Sequence, residues 1–127
     1  MGISASQMVA TAKAHIENLS PDQVARELRS GSATLIDIRE EDERAARGRL
    51  PDAYHAPRGM LEFYADISSP YHRPEFDPDR RIILMCASGG RSALAAETLQ
   101  RMGYRQVAHL DGGLDAWIAQ GLPVERE

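Results

Sequence analysis

Apolar positions recur along this chain with two different spacings, and the switches between them divide it into helices and strands. Between residues 4 and 17, Met8, Ala12 and Ile16 return every four positions, which describes an amphipathic helix with a modest face, packed on the outside of the domain. Ser20-Pro21-Asp22-Gln23 is a capping box with proline at the first helical position. It opens a second helix with Val24 and Leu28 inward and Gly31 at its end. Leu19, just before this cap, suits either an edge strand or a hydrophobic staple. Ala33-Thr34-Leu35-Ile36-Asp37-Ile38-Arg39 is short, β-branched and apolar up to a charged end, the pattern of a buried strand. The charged run at residues 40–47 predicts a short solvated helix, acidic at its start and basic at its end as the helix dipole prefers, stopped by Gly48.

Leu50-Pro51-Asp52 makes a turn, Ala53-Tyr54-His55-Ala56 a short strand closed by Pro57, and Met60, Leu61, Phe63 and Tyr64 a helix of one or two turns. Residues 66–80 hold Pro70, Pro74 and Pro78 and show no periodicity. A loop of that length is either a functional lid or a proline-stiffened surface connection. Residues 81–85 form the most apolar strand and are the candidate for the centre of the sheet. Ala95, Leu99 and Met102 then mark a helix ended by Gly103, and residues 107–110 a further strand. Asp111-Gly112-Gly113 turns into a last helix that carries Trp117 into the core and stops at Gly121. Strands alternating with helices throughout predict an α/β fold, a mainly parallel sheet of about five strands with helices on both faces and right-handed crossovers.

A length of 127 residues predicts one domain, residues 1–127, with the helix in residues 1–18 as an addition to it. A net charge of −4 provides no global basic field, which argues against nucleic acid or an anionic membrane as partner. The chain has one cysteine, which excludes an internal disulfide and a multi-thiolate metal site and makes a reducing compartment, the cytoplasm, the simpler setting. The histidines at 15, 55, 72 and 109 show no ligand spacing, so neither metal nor cofactor is expected. No secretory h-region and no membrane-length apolar stretch is present. Met1-Gly2 followed by Ser6 fits the short, loose pattern for N-terminal myristoylation.

The candidate chemistry sits in Cys86-Ala87-Ser88-Gly89-Gly90-Arg91, where the central strand meets a helix. Main-chain N–H groups in a tight glycine turn, together with the positive end of the following helix, would surround a negative charge on sulfur and favour the thiolate. No histidine adjoins Cys86 in sequence. His55, His72 or His109 could be folded beside it, but a base is not required where the helix and Arg91 already supply positive potential. A cation at a helix's positive end is unfavourable by itself, so Arg91 points to an anion nearby. Asp37 and Arg39, at the carboxyl end of a neighbouring strand, reach the same rim. There they are expected to form a salt bridge tying the strand end to the next turn. Arg58 is a further rim position, and Ser88 and Ser92 are possible hydrogen-bond donors to the loop, Ser92 equally to the helix start.

Four segments in series resemble one family. Residues 86–91 resemble the active-site loop of rhodanese-type sulfurtransferases, and Leu35-Ile36-Asp37-Ile38-Arg39 resembles that family's first signature. Gly48-Arg49-Leu50-Pro51-Asp52-Ala53 is similar to its Gly-His-Ile-Pro-Gly-Ala turn, and Leu110-Asp111-Gly112-Gly113-Leu114-Asp115-Ala116-Trp117 to its closing motif. The matched region runs over residues 33–121. Arg49 and Asp52 depart from the usual histidine and glycine, in a turn where little functional consequence is expected. The resemblance implies the three-layer rhodanese fold and a ping-pong reaction. Cys86 takes the outer sulfur of a small anionic donor such as thiosulfate or a persulfide, and holds it as a persulfide among the N–H groups of residues 87–91. It then passes the sulfur to cyanide in vitro, or to a thiol or a partner protein. Phosphatases and arsenate reductases sharing the fold have a loop one residue longer, and the four residues between Cys86 and Arg91 argue for sulfur over phosphate. A sulfur-carrier or interaction module without turnover, and a redox-sensing thiol, are the competing readings.

Overall fold

The computed structural model describes residues 2–126, so Met1, where the myristoylation pattern begins, lies outside the described residues. The chain runs α1 (Ala5–His15), β1 (Glu17–Leu19), α2 (Pro21–Arg29), β2 (Thr34–Asp37), α3 (Glu41–Arg47), β3 (Tyr54–His55), a single turn of 3-10 helix (Arg58–Met60), α4 (Leu61–Ala65), β4 (Ile82–Met85), α5 (Gly90–Arg101), β5 (Val107–Leu110) and α6 (Gly113–Ala119). The strands form one sheet in the order β1-β5-β4-β2-β3, with every pairing parallel and β4 at the centre. Side chains alternate along each strand between two cores. Ile36, Ile82, Leu84 and Val107 meet α1, α4 and α5 on one face. Leu35, Ile83, Met85, Ala108 and Leu110 meet α2 and α6 on the other.

The N-terminal segment differs from its reading as an added helix through residue 18. The helix stops at His15, Ile16 turns extended, and residues 17–19 pair with residues 108–110 as an edge strand. Asn18 enforces the break, because its amide nitrogen donates to the Lys13 carbonyl at 3.0 Å and the Ile16 carbonyl at 3.2 Å, taking up acceptors at the helix end. The buried face of α1 is also rotated from the expected stripe: Ala12 and Ile16 are buried, but Val9 packs on the core and Met8 is 45% exposed. Spacing of strictly four residues drifts off the face of a helix with 3.6 residues per turn, whereas 9, 12 and 16 stays on it. Ser20 and Gln23 form the expected capping box of α2, each side chain bonded to the other's backbone N–H.

The run at residues 40–47 is less solvated than its charges suggested, since Arg44 of α3 is buried against Asp37. Residues 66–80 form a packed surface connection. Phe76 is fully buried, and the Arg73 guanidinium lies 3.9 Å from the Tyr64 ring centre while donating to the hydroxyls of Tyr54 and Tyr64. Asp52, standing where the resemblance has glycine, adopts φ +63°, a left-handed conformation that Asp tolerates better than most residues. Trp117 is buried in the second core with its indole N–H on the Pro123 carbonyl.

Candidate functional site

The four residues of β4 are fully buried, and the strand delivers Cys86 to its carboxyl end with 1% of its surface exposed. The chain then reverses through Ala87 and Ser88 into Gly89, which caps α5 at φ +100°. This turn brings the Gly89 N–H to 3.2 Å and the Ser92 N–H to 3.4 Å from the Cys86 sulfur, both as donors at the positive end of α5. Ser88 is exposed at the loop's tip, and Ala87, Gly90 and Arg91 are half-buried.

The loop holds this shape because α6 pulls on it from behind. Leu114 N–H donates to the Cys86 carbonyl at 2.9 Å and Asp115 N–H to the Ala87 carbonyl at 3.0 Å. With its carbonyls turned outward to the first turn of α6, the loop can turn main-chain amides toward the sulfur. So close an approach requires glycine. A Cβ on Gly113 would stand 2.6 Å from the Cys86 carbonyl oxygen, and one on Gly89 would stand 3.0 Å from the Gly112 nitrogen.

These are the features of a cysteine loop clamped by a paired-glycine turn, and a family model describes the same stretch of chain. The model for the rhodanese-like domain matches residues 20–120. The chain belongs to the rhodanese-like domain family. A sulfurtransferase of Allochromatium vinosum is 37% identical over 90 residues, 71% of this chain and 76% of the relative. A thiosulfate sulfurtransferase, GlpE, of Actinobacillus pleuropneumoniae is 32% identical over 107 residues, 84% of this chain and 91% of the relative. Among solved structures, a Rhodopseudomonas palustris protein of unknown function, described as a possible tyrosine phosphatase, superposes with a TM-score of 0.93 at 38% identity, over 98% of this chain and 96% of that one.

Within this rhodanese-like domain the remaining candidate residues divide by what their side chains engage. The Arg91 guanidinium is turned to α3, where it makes two 2.8 Å bonds to Glu43, and this pairing holds the Glu43 carboxyl down at about 2. Asp37 receives Arg39 at 2.8 Å and Arg44 at 3.0 Å, and Arg39 also donates to the Gly48 carbonyl at 2.8 Å, so this buried cluster ties the end of β2 to α3 and its stop. Arg58 pairs with Glu62 at 2.9 Å. His55 bonds the Arg39 carbonyl and His72 the Phe76 carbonyl. Among the described residues, no three His, Cys, Asp or Glu side chains converge where they could hold a metal ion, and no helix is long and apolar enough to cross a membrane.

Of the three histidines that could be folded beside Cys86, the structure brings His109 close, through Ser92, and it adds Glu43 and Asn18 to the surroundings of the loop. Ser92 Oγ lies 3.5 Å from the Cys86 sulfur and 2.8 Å from His109 Nδ1, and His109 Nε2 lies 2.8 Å from Asn18 Oδ1. His109 is a polar residue inside an otherwise apolar strand, and the alternation of that strand turns it toward α5. Glu43 and Asn18 are unremarkable in their local sequence and become neighbours of the site only through folding.

Proposed function

We propose that this rhodanese-like domain is a sulfurtransferase that carries sulfane sulfur on Cys86. The observation that carries the reading is the environment of the sulfur, which faces the main-chain donors of Gly89 and Ser92. Such an arrangement stabilises negative charge on sulfur and needs no reorganisation when that charge appears. The thiolate attacks the outer sulfur of thiosulfate or a persulfide, the donor's S–S bond breaks, and its electron pair leaves with sulfite or the donor thiolate. The outer sulfur of the resulting Cys86 persulfide carries the charge among the N–H groups of residues 87–91. Cyanide, a thiol or a protein acceptor then attacks that sulfur and returns Cys86 as thiolate. Arg91, locked to Glu43, contributes its backbone and fixes the loop against α3, while Asp37 and Arg39 hold the adjoining strand end in place. A reducing compartment such as the cytoplasm suits a lone reactive thiol.

Incubation with thiosulfate and cyanide should yield thiocyanate with the wild-type protein and none with Cys86→Ala, and mass spectrometry after thiosulfate alone should show a gain of one sulfur. Equal turnover in the two proteins sinks the reading. A stable gain of sulfur without thiocyanate replaces the enzyme by a carrier. The possible phosphatase among the structural neighbours makes a phosphate monoester the necessary control. The four residues between Cys86 and Arg91 and the engagement of Arg91 by Glu43 both argue that it will not be hydrolysed.

A further inference from the structure

His109 is fully buried on β5, on the face toward α1 and α5, in register with Asn18 of β1 and Leu84 of β4. Its hydrogen bonds determine where the protons lie. The Asn18 amide nitrogen is turned away, toward the Lys13 and Ile16 carbonyls, so its oxygen faces His109 Nε2 at 2.8 Å. An amide oxygen only accepts, so Nε2 carries the hydrogen, and the neutral ring has a bare Nδ1. The Ser92 hydroxyl has two acceptors within reach, Nδ1 at 2.8 Å and the Gly89 carbonyl at 3.3 Å; its single hydrogen goes to the nearer Nδ1, which leaves its lone pairs for the Cys86 thiol at 3.5 Å. Thiol, hydroxyl and imidazole thus form a chain in which each proton already points at the next acceptor.

We propose that Ser92, His109 and Asn18 are a buried relay that takes the thiol proton of Cys86, with His109 Nδ1 as its destination. The proposal rests on the reading of Cys86 as the sulfur nucleophile. In the step, the S–H bond breaks and its electron pair stays on sulfur. The proton forms a new O–H bond at Ser92, and the former Ser92 proton forms an N–H bond at Nδ1. The Ser92 hydroxyl then donates to the thiolate, the imidazolium donates to Ser92 Oγ, and Asn18 continues to accept from Nε2. Nothing is oxidised, and no proton enters or leaves the protein. Because both half-reactions begin or end at the thiolate, the proton can stay on His109 through a full cycle. Ser92 touches the reacting sulfur, while His109 and Asn18 are positioning residues that act through it.

Burial pulls the His109 pKa down to about 4, which keeps Nδ1 bare while the sulfur is a thiol. Of the charges near the imidazole, Asp111 after β5 favours its charged form and Lys13 of α1 opposes it, and these two are paired with each other at 2.7 Å. Glu17 of β1 is turned to Arg81, and Arg91 of α5, which acts electrostatically on Cys86, is held by Glu43. β4 presents Leu84 in register. The counter-charge for an imidazolium is therefore the thiolate itself, which couples the two protonation changes.

Thiolate formation can be followed by far-ultraviolet absorbance against pH, with Cys86→Ala as the blank. In Ser92→Ala and His109→Gln the midpoint should rise by about one unit, a ~tenfold smaller thiolate fraction below it, and Ser92→Thr should restore it. In His109→Gln the rate of sulfur gain from thiosulfate should fall in the same proportion below the midpoint, and the loss should disappear above it. Histidine nitrogen shifts by NMR in the S-alkylated protein should show a neutral ring protonated at Nε2. An unmoved midpoint, a loss of rate equal at every pH, or a ring protonated at Nδ1 overturns the relay. A shifted midpoint in a protein that never gains sulfur supports the relay and defeats the sulfurtransferase reading, so the two failures are distinct.

Discussion

Asp37 and Met85 lie opposite each other in register on neighbouring strands, and the chain leaves those strands through two contrasting ends. At the end of β2, charge is set against charge: Asp37, Arg39 and Arg44 are all buried, and both arginines are bonded to Asp37. Beyond β4, the loop from Cys86 has no charged side chain before Arg91, and the donors at its sulfur are main-chain N–H groups. The first end uses its polarity internally, which fixes structure. In the second, the loop carbonyls are engaged from outside by α6, which leaves amides facing the sulfur without a resident counter-charge. Adjacent strand ends of one sheet thus differ: one is an anchor, and the other is, on the proposed function, a cradle for an anion.

Asp37→Asn should have the largest effect on stability. It strands two buried guanidinium groups and should cost about 4 kcal/mol in denaturant unfolding; a cost under ~1 kcal/mol would mean that the cluster is no anchor. Next comes the pH dependence of His109. Its folded pKa of about 4 is below the ordinary 6.5, so its contribution is complete above 6.5 and is lost as pH falls toward about 4. In the Cys86→Ala background, where the sulfur does not titrate, acidification across that window should remove ~3 kcal/mol, and His109→Gln should flatten the loss. Gly113→Ala tests the cradle. A left-handed φ of +60° and a collision with the Cys86 and Ala87 backbone should cost ~2 kcal/mol. Displacing the loop should also lower sulfur transfer ~100-fold in the thiocyanate assay. Glu43→Gln is expected to be mildest, ~0.5 kcal/mol, because its pair with Arg91 is partly exposed. The Glu43 carboxyl is held below its ordinary 4.5, so the pair should contribute fully above 4.5 and fade as pH falls to about 2. A salt-independent effect of several kcal/mol would show instead that Arg91 belongs with the buried anchor.

Much of this architecture was legible because it depends on local rules. Short apolar runs placed β2, β4 and β5, and the Ser20 capping box placed the start of α2 to the residue. The Cys86 loop was recognisable from its glycines and Arg91. Less legible was α1, where an edge strand of three residues is too short for its alternation to stand out and depends on β5 for its hydrogen bonds. The solvation of Arg44 was misjudged for a related reason, since its partner Asp37 is seven residues away on another element.

Sequence by itself determined the order of the elements, the central position of β4, the glycine turn around Cys86 and the family to which the chain belongs. These follow from periodicity, from backbone conformations that only certain residues adopt easily, and from residues close together along the chain. Tertiary structure alone decided that α6 grips the loop, that Glu43 turns Arg91 aside, and that Ser92, His109 and Asn18 line up behind the sulfur. Each of those contacts joins residues far apart in sequence, and a hydrogen bond depends on distances of a few tenths of an ångström that no local pattern specifies.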